Sequence, residues 1–429
     1  MSGILVGAGA YERLRQDVLA RLERDHLDPS TDLDAVRAVI VSAVDAYQRR
    51  SHLGDGAALR DPGEMVARLL RSVTAFGPLT DLLARADVEE VFIEGARVTY
   101  LDGSGRLQGL ALPTTEEENR QVIDRLLAST QRHLDSANPL VQARVLQGDA
   151  RLTAAMPPVA DGLSATLRRS TMRRDTLASL VERGSLTTGA AGLLWAAMQT
   201  TTSLLVSGPP GSGKTSLLSA LLAAVPTNRC IRCCEEIREL HVPITHGSFY
   251  EARPPSMDGA AEISLRDLVK FVLSMRPDHI VVGEVRGAEA FELTRAVNAG
   301  CGFACTVHAN SARDALVALV NAAIMAGENV AEAIVRRVFA SALDIVVHCD
   351  MAETASGGQD GIVRQVTEII AVVPSLHDDF STEPLFRRER LGKPLEWTGA
   401  LPPNVEAIAR ALPGQLSLTA ILEGRVNPL

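Results

Sequence analysis

The chain has 429 residues, of which 46% are hydrophobic, and its formal net charge at pH 7 is −9. This content can fill two hydrophobic cores, which predicts two or three domains, and the acidic balance argues against a nucleic acid backbone as the main partner. No apolar run is long enough to span a bilayer, and residues 1–10 lack the basic start of a signal peptide. Six cysteines do not make a disulfide framework in a chain of this length. We therefore expect a soluble protein of the cytoplasm.

The N-terminal part of the chain predicts helices, because apolar residues recur in it at helical spacing. The residues with this spacing are Leu14, Val18, Leu22, Val36, Val39 and Ile40. Turn-forming residues follow between Leu53 and Gly63 and mark a boundary. We predict that residues 1–62 form a helical extension.

Residues 63–172 alternate between helical and strand patterns, which predicts an α+β domain with a mostly antiparallel sheet. Strands are expected at residues 91–93, 98–101, 152–156 and 165–167. A basic linker is expected to follow the last of these strands. Its residues are Arg168, Arg169, Arg173 and Arg174.

Residues 173–429 change to a strand, helix, strand pattern, which predicts an α/β domain with a parallel sheet. The strands are expected in four apolar segments: residues 204–206, 230–234, 280–282 and 304–307. Each segment is followed by polar residues or glycine, as expected at the carboxyl edge of a parallel sheet, where such sheets bind ligands. A flexible hairpin loop between two strands is expected at residues 355–361. The tail from Ser375 on is polar, with a helix expected at residues 405–412.

The most specific motif lies at residues 208–215, which read Gly-Pro-Pro-Gly-Ser-Gly-Lys-Thr. This run fits the phosphate-binding P-loop, in which glycines let backbone N–H groups point at the phosphates. Lys214 adds a cation for the β- and γ-phosphates, and the Thr215 hydroxyl is a ligand for Mg²⁺. The alternative is a chance glycine-rich turn, which the strand before the loop and the helix after it argue against. The candidate nucleotide-binding residues of this loop are Gly208, Pro209, Pro210, Gly211, Ser212, Gly213, Lys214, Thr215 and Ser216.

Two further strands end in carboxylates at the same predicted edge. Glu284 follows the apolar run at residues 280–283 in a Walker B arrangement, and such a residue can hold Mg²⁺. Glu235 and Glu236 end the strand that follows the P-loop helix, where a carboxylate can orient the attacking water or accept its proton. Each acid is alternatively a solvated group at a strand end, but their joint occurrence after a P-loop favours the functional interpretation.

His308 follows a fourth strand, within the run Thr-Val-His-Ala-Asn at residues 306–310. At this edge a histidine can sense the γ-phosphate or donate a hydrogen bond to it. A lone histidine is more often structural, so this interpretation depends on the neighbouring motifs.

Three cysteines have a spacing that suggests a metal site: Cys230, Cys233 and Cys234. They lie in an apolar segment without a second cysteine or histidine pair. This setting favours buried strand thiols over zinc ligands.

The order of these motifs resembles that of the secretion ATPases of type II and type IV systems, and within them the Tad-pilus (CpaF-like) branch. The order is the P-loop, an acidic box that begins at Glu235, the Walker B run with Glu284, and the histidine run with His308. Further similar segments are residues 75–79, 87–91, 264–268, 275–278 and 392–399. The resemblance extends from about residue 64 to residue 429.

This resemblance implies a RecA-like P-loop ATPase domain that follows an α+β N-terminal domain and uses ATP with Mg²⁺. It also implies a homohexameric motor that hydrolyses ATP to power pilus assembly or protein secretion at a polytopic inner-membrane platform protein. Such a motor is cytoplasmic and peripheral at the inner face of the cell membrane. Its membrane contact is only through partners, and no direct nucleic acid partner is implied.

The family also implies roles for individual residues. Glu235 is the base that activates water, Glu284 is the Walker B acid and metal ligand with Thr215, and His308 is the second histidine of the histidine box. Arginines of the N-terminal domain reach the nucleotide; Arg144, Arg151 and Arg168 lie where such residues are expected, and Arg144 and Arg168 are the favoured candidates. The alternative for each arginine is a solvated or interdomain role.

Two residues depart from the family pattern. Glu236 stands where aspartate is usual, and Cys301 stands where the first histidine of the histidine box is usual. Because cysteine lacks the charge and the two ring nitrogens of histidine, we expect turnover that is slower or differently gated. A nucleotide-binding scaffold with little hydrolysis is therefore the main alternative function. A nucleic-acid motor and a small-molecule kinase fit the sequence less well.

Overall fold

The computed structural model describes residues 2–29, 31–103, 106–130, 132–169, 175–240, 242, 244–253, 262–327, 331–354, 361–373, 380–414 and 416–429, with the side chains of 2–8, 353, 354 and 361 left out. Arg173 and Arg174 of the expected linker and residues 355–360 of the expected hairpin loop lie outside these ranges. The chain divides into two compact units, Met1–Thr171 and Met172–Leu429. In the part of the chain so described, no helix is both long and apolar enough to cross a membrane.

Helices open the first unit, as the sequence predicts. They are α1 (Ser2–Arg24), α2 (Leu33–His52), α3 (Pro62–Thr74) and the short α4 (Thr80–Ala84). The side chains of Leu14, Val18 and Val36 are buried between α1, α2 and α3, and Leu69 of α3 joins the same core. Asp61 caps the N-terminus of helix α3, because its side chain accepts a hydrogen bond from the backbone N–H of Glu64.

A six-stranded antiparallel sheet forms the rest of the first unit. Its elements are β1 (Val88–Glu94), β2 (Arg97–Asp102), β3 (Leu107–Gly109), α5 (Glu116–Leu127), β4 (Leu140–Val145), β5 (Ala150–Ala155) and β6 (Ser164–Arg169). The spatial order is β3-β2-β1-β6-β5-β4. Sequence analysis missed β4. It was also wrong about Arg168 and Arg169, which pair within β6 rather than lying in a linker, because the strand pattern continues to the residues opposite Arg151 and Ala150.

The second unit contains a nine-stranded sheet flanked by helices. Its helices are α6 (Leu177–Glu182), α7 (Thr188–Met198), α8 (Lys214–Ala223), α9 (Leu265–Leu273), α10 (Glu289–Asn298), α11 (Ala312–Ile324), α12 (Glu332–Ala342), α13 (Val405–Ala411) and α14 (Leu418–Leu422). Its strands are β7 (Leu204–Ser207), β8 (Cys230–Glu235), β9 (His246–Glu251), β10 (His279–Val282), β11 (Gly302–Val307), β12 (Ile345–Thr354), β13 (Gly361–Val373), β14 (Ser381–Arg388) and β15 (Leu395–Trp397).

The four predicted strands form the parallel centre of this sheet. The spatial order is β15-β14-β13-β12-β7-β11-β10-β8-β9, and β7, β11, β10 and β8 are parallel to one another. Strands β7 and β10 are buried along their whole length, which explains why they read as continuous apolar runs. Their carboxyl ends therefore lie along one edge of the sheet.

The two strands expected on either side of residues 355–361 are present as β12 and β13, whereas the strands after them were not predicted. Strand β12 joins β7 in parallel, and β13 to β15 then add an antiparallel extension, so the tail after Ser375 contains two strands as well as the expected helix at α13. Helix α14 packs against α7, where Gly192 makes room for it: a Cβ atom there would lie 2.4 Å from Cγ2 of Ile421.

Candidate functional site

The P-loop connects β7 to α8 through a left-handed backbone. Gly211 and Gly213 have φ values of 77° and 95°, which glycine adopts at no steric cost. At Gly208 a Cβ atom would lie 2.3 Å from the carbonyl oxygen of Cys349 in β12. The loop thus needs glycine at these positions, and it delivers Lys214 to the first turn of α8.

Lys214 is buried in the loop that carries it. Its Nζ donates hydrogen bonds of 3.0 Å to the carbonyl oxygens of Gly208 and Pro209. The hydroxyl of Ser212 is buried in the same loop and has no hydrogen-bond partner. The Lys214 ammonium, the unsatisfied Ser212 hydroxyl and the N-terminus of α8 together make this loop suitable for binding an anion.

His308 connects Lys214 to the Walker B acid. Nζ of Lys214 lies 3.2 Å from Nδ1 of His308, and Nε2 of His308 lies 2.8 Å from Oε1 of Glu284. An ammonium group can only donate, so Nδ1 is the acceptor and Nε2 carries the proton that is donated to Glu284. The structure therefore brings together three of the predicted site residues in one hydrogen-bonded chain.

Glu284 is held on its other side by Arg286. The guanidinium donates from Nε to Oε1 at 2.7 Å and from an Nη to Oε2 at 3.0 Å. Burial alone would raise the pKa of Glu284, but the hydrogen bonds and charge of Arg286, together with the nearby His308 and Lys214, outweigh burial and hold that pKa below its usual range. The Walker B carboxylate is therefore ionised at neutral pH.

Glu235 lies next to these hydrogen-bonded residues, in a different environment. It is buried at the end of β8, and its stem packs so closely on Gly283 that a Cβ there would lie 2.7 Å from Cγ of Glu235. Its Oε1 accepts hydrogen bonds from the backbone N–H groups of Glu239 and Leu240 at 3.0 and 3.2 Å. Burial raises the pKa of Glu235 to about 7, because these two hydrogen bonds only partly offset the loss of water.

This shifted pKa predicts a pH dependence if Glu235 is the base. Only the ionised carboxylate accepts a proton, so the rate of ATP hydrolysis should rise with pH through about 7. Between pH 6 and pH 8 the ionised fraction, and with it the rate, should rise about tenfold. Initial rates at saturating ATP measure this, and Glu235→Gln should abolish the rise. A flat wild-type profile would argue against Glu235 as the base.

The donor atoms at this edge suit Mg²⁺ together with a nucleotide. The Thr215 hydroxyl in the first turn of α8 and the Glu284 carboxylate are oxygen donors, the type that Mg²⁺ prefers. Among the described residues, no group of three or more His, Cys, Asp and Glu forms a metal site. Phosphate oxygens and water commonly supply the other ligands of a Mg²⁺ ion bound with a nucleotide.

Cys301 lies away from these groups. It precedes β11, and its Sγ donates a hydrogen bond of 3.0 Å to the carbonyl oxygen of Pro277. His308 follows the other end of β11, about 20 Å along the strand. The cysteine that replaces the family's histidine is therefore at the amino edge of the sheet. Cys233 and Cys234 are buried in β8, where neighbouring residues point to opposite faces.

Comparison with known proteins identifies the family. A family model described as type II/IV secretion system protein matches residues 74–368, more than half of the chain. The chain belongs to this family. A conjugal transfer protein of Mycobacterium tuberculosis strain H37Rv is 32% identical over 321 residues, which cover 72% of this chain and 91% of that protein. The conjugal transfer protein TrbB of Rhizobium radiobacter is 27% identical, over 70% of this chain and 88% of its own length.

Among solved structures, the pilus retraction motor PilT with bound ADP is similar at a TM-score of 0.48 and 20% identity. The match covers 67% of this chain and 80% of PilT. The family assignment itself rests on the sequence matches, which agree with the resemblance found in the motifs.

The candidate arginines of this family member lie in one row of the first unit. Arg144 of β4 pairs with Arg151 of β5, and Arg151 pairs with Arg168 of β6. All three lie on the face of the sheet that is opposite to its core, because Val145 and Leu167 alternate with them on the buried face. Glu90 of β1 ends the row, with its Oε1 3.6 Å from Nε of Arg168.

Two residues at the P-loop edge were missed by sequence analysis. Arg286 lies within the Walker B run, two residues after Glu284, and a cation at this spacing could have indicated an ion pair with that acid. Arg364 of β13 donates a hydrogen bond of 2.8 Å from Nε to the carbonyl oxygen of Gly211. No local pattern could show this contact, because Arg364 is distant from the P-loop in sequence.

Proposed function

We propose that this member of the type II/IV secretion family is an ATP-hydrolysing motor. The observation that carries the proposal is the hydrogen-bonded chain from Lys214 through His308 to Glu284 at the edge where the P-loop lies. These are the groups that phosphoryl transfer needs: a cation for the phosphates, a polar group at the γ-phosphate, and a carboxylate for the metal.

The roles follow from the chemistry of each group. Lys214 and the backbone N–H groups of the P-loop bind the phosphates, while Thr215 and Glu284 would hold Mg²⁺, whose charge would offset the negative charge on the phosphate oxygens. Glu235 takes a proton from the attacking water, and its raised pKa suits that task near neutral pH. His308 changes partners when a γ-phosphate approaches Lys214, which lets the site distinguish ATP from ADP.

At the level of the assembly, we propose a homohexamer of the Tad-pilus (CpaF-like) branch that works in the cytoplasm, at the inner face of the cell membrane. It would act on a polytopic platform protein and power pilus assembly or secretion. The domains would be residues 1–62, 63–172 and 173–429. The motif order supports this proposal, as does the similarity to conjugal transfer proteins.

We further propose that Arg144 and Arg168 contact the nucleotide phosphates. Replacement of both by glutamine should lower the rate of ATP hydrolysis by at least about tenfold, because a guanidinium stabilises charge in the transition state. Phosphate release measures this effect. Arg97→Gln on the same sheet is the control and should leave the rate unchanged, since Arg97 lies outside the arginine row. Equal rates in the double variant and the control would count against this role.

The experiment that tests the function is phosphate release from ATP by the purified protein over a range of protein concentrations. A rate per mole of protein that rises with concentration would indicate sites completed by assembly. ATP binding with background release would favour the alternative, a nucleotide-binding scaffold of a secretion machine with little hydrolysis of its own.

A further inference from the structure

Arg286 lies between two carboxylates at the edge of the sheet. Besides its two hydrogen bonds to Glu284, an Nη atom lies 3.5 Å from Oε2 of Glu236. Glu236 is the residue that stands where the family usually has aspartate. One guanidinium thus joins the acid after β8 to the Walker B acid after β10.

The backbone that carries Arg286 is fixed on both sides. Its N–H and that of Gly287 donate to Oε1 of Glu289, at 2.6 and 2.8 Å, in the first turn of α10. On the other side, the N–H of Val285 donates to the carbonyl oxygen of Thr306 in β11 at 2.8 Å. The side chain of Arg286 is therefore directed to Glu284 by a loop that is anchored to two neighbouring elements.

This arrangement engages both oxygens of the Walker B carboxylate. Oε1 accepts from Nε of Arg286 and from Nε2 of His308, and Oε2 accepts from an Nη of Arg286. A carboxylate that binds Mg²⁺, directly or through water, needs an oxygen that faces the cation. The contacts seen here direct Glu284 to protein donors instead.

We propose that Arg286 is a positioning residue that holds Glu284 in a resting position beside Glu236, and that Mg²⁺ bound with nucleotide displaces it from Glu284. This inference rests on the proposed function, and it assigns to Arg286 the role of the cation that Mg²⁺ replaces. The Arg286 side chain is half exposed, at 50%, so its ion pair is weak enough for a divalent cation to compete with it. Glu236 then keeps the displaced guanidinium close to the site.

The test compares nucleotide binding with and without Mg²⁺. A fluorescent, slowly hydrolysed ATP analogue is titrated in Mg²⁺ and in EDTA, and the ratio of the two affinities reports what the metal contributes. In Arg286→Gln this ratio should rise about two- to fivefold, because Mg²⁺ no longer competes with an internal cation. Arg286→Lys keeps the charge but loses the paired hydrogen bonds, and its ratio should lie between the two.

The matched control is Arg336→Gln, which removes an arginine paired with Glu332 on α12 and should leave the ratio at the wild-type value. An unchanged ratio in a folded Arg286→Gln protein would overturn the inference while leaving nucleotide binding intact. If that variant does not fold, the lysine variant decides in the same way. Absence of nucleotide binding by the wild type would overturn the proposed function, and this inference with it.

Discussion

Lys214→Ala should lower the rate of ATP hydrolysis by at least about 100-fold, since it removes the cation that stabilises charge on the transferred phosphoryl group. The ammonium is buried at 7% exposure and is hydrogen-bonded to the carbonyls of its own loop, so it points into the loop that would bind the phosphates. Alanine supplies no positive charge in place of the ammonium. Phosphate release at saturating ATP and Mg²⁺ measures the change.

Lys393→Ala is the matched control, because it removes an exposed lysine near β15 and should have no effect on the rate. Thermal unfolding of both variants separates loss of chemistry from loss of fold. A Lys214→Ala protein that keeps the wild-type rate would mean that hydrolysis, if observed, occurs at another site.

Glu284→Gln should lower the rate of ATP hydrolysis by about 100-fold or more while ATP binding changes only a few-fold. Glutamine keeps the size of the side chain and one acceptor oxygen but removes the charge that attracts Mg²⁺. Lys214 and the P-loop backbone remain in place to bind phosphates, so the loss should fall on turnover. Phosphate release and equilibrium binding of an ATP analogue, measured on the same preparation, distinguish the two effects.

Glu332→Gln on the surface of α12 provides the same substitution outside the site and should behave as wild type. Equal losses of binding and turnover in Glu284→Gln would instead indicate that this residue supports the loop rather than the chemistry. The two outcomes are distinguished by comparing the loss of hydrolysis rate with the loss of ATP affinity.

The centre of the second unit could be predicted from sequence because its signals are local. Each motif follows a short apolar run, and parallel strands buried on both faces place their carboxyl ends on one edge. The same logic predicts from sequence alone that Lys214, Glu284 and His308 lie close together. The RecA-like assignment followed from the same order of motifs.

The parts that sequence analysis missed depend on contacts between distant segments. The contact of Gly208 with β12 depends on how β12 pairs with β7, and the bond from Arg364 to the P-loop depends on the register of β13. The buried environment of Glu235 likewise depends on its packing against Gly283, which the sequence does not show. For Cys301 the sequence was misleading. Its position in the motif suggested a defect in the site, but it lies before β11, at the amino edge of the sheet, opposite to the edge with the P-loop.

The most direct test of the central claim is phosphate release by the wild-type protein, measured with Lys214→Ala in parallel over a range of protein concentrations. We expect ATP-dependent release that rises more than proportionally with protein concentration and falls to background in the variant. Background release by the wild type, under conditions in which it binds ATP, would contradict the claim that this chain is by itself an ATP-hydrolysing motor.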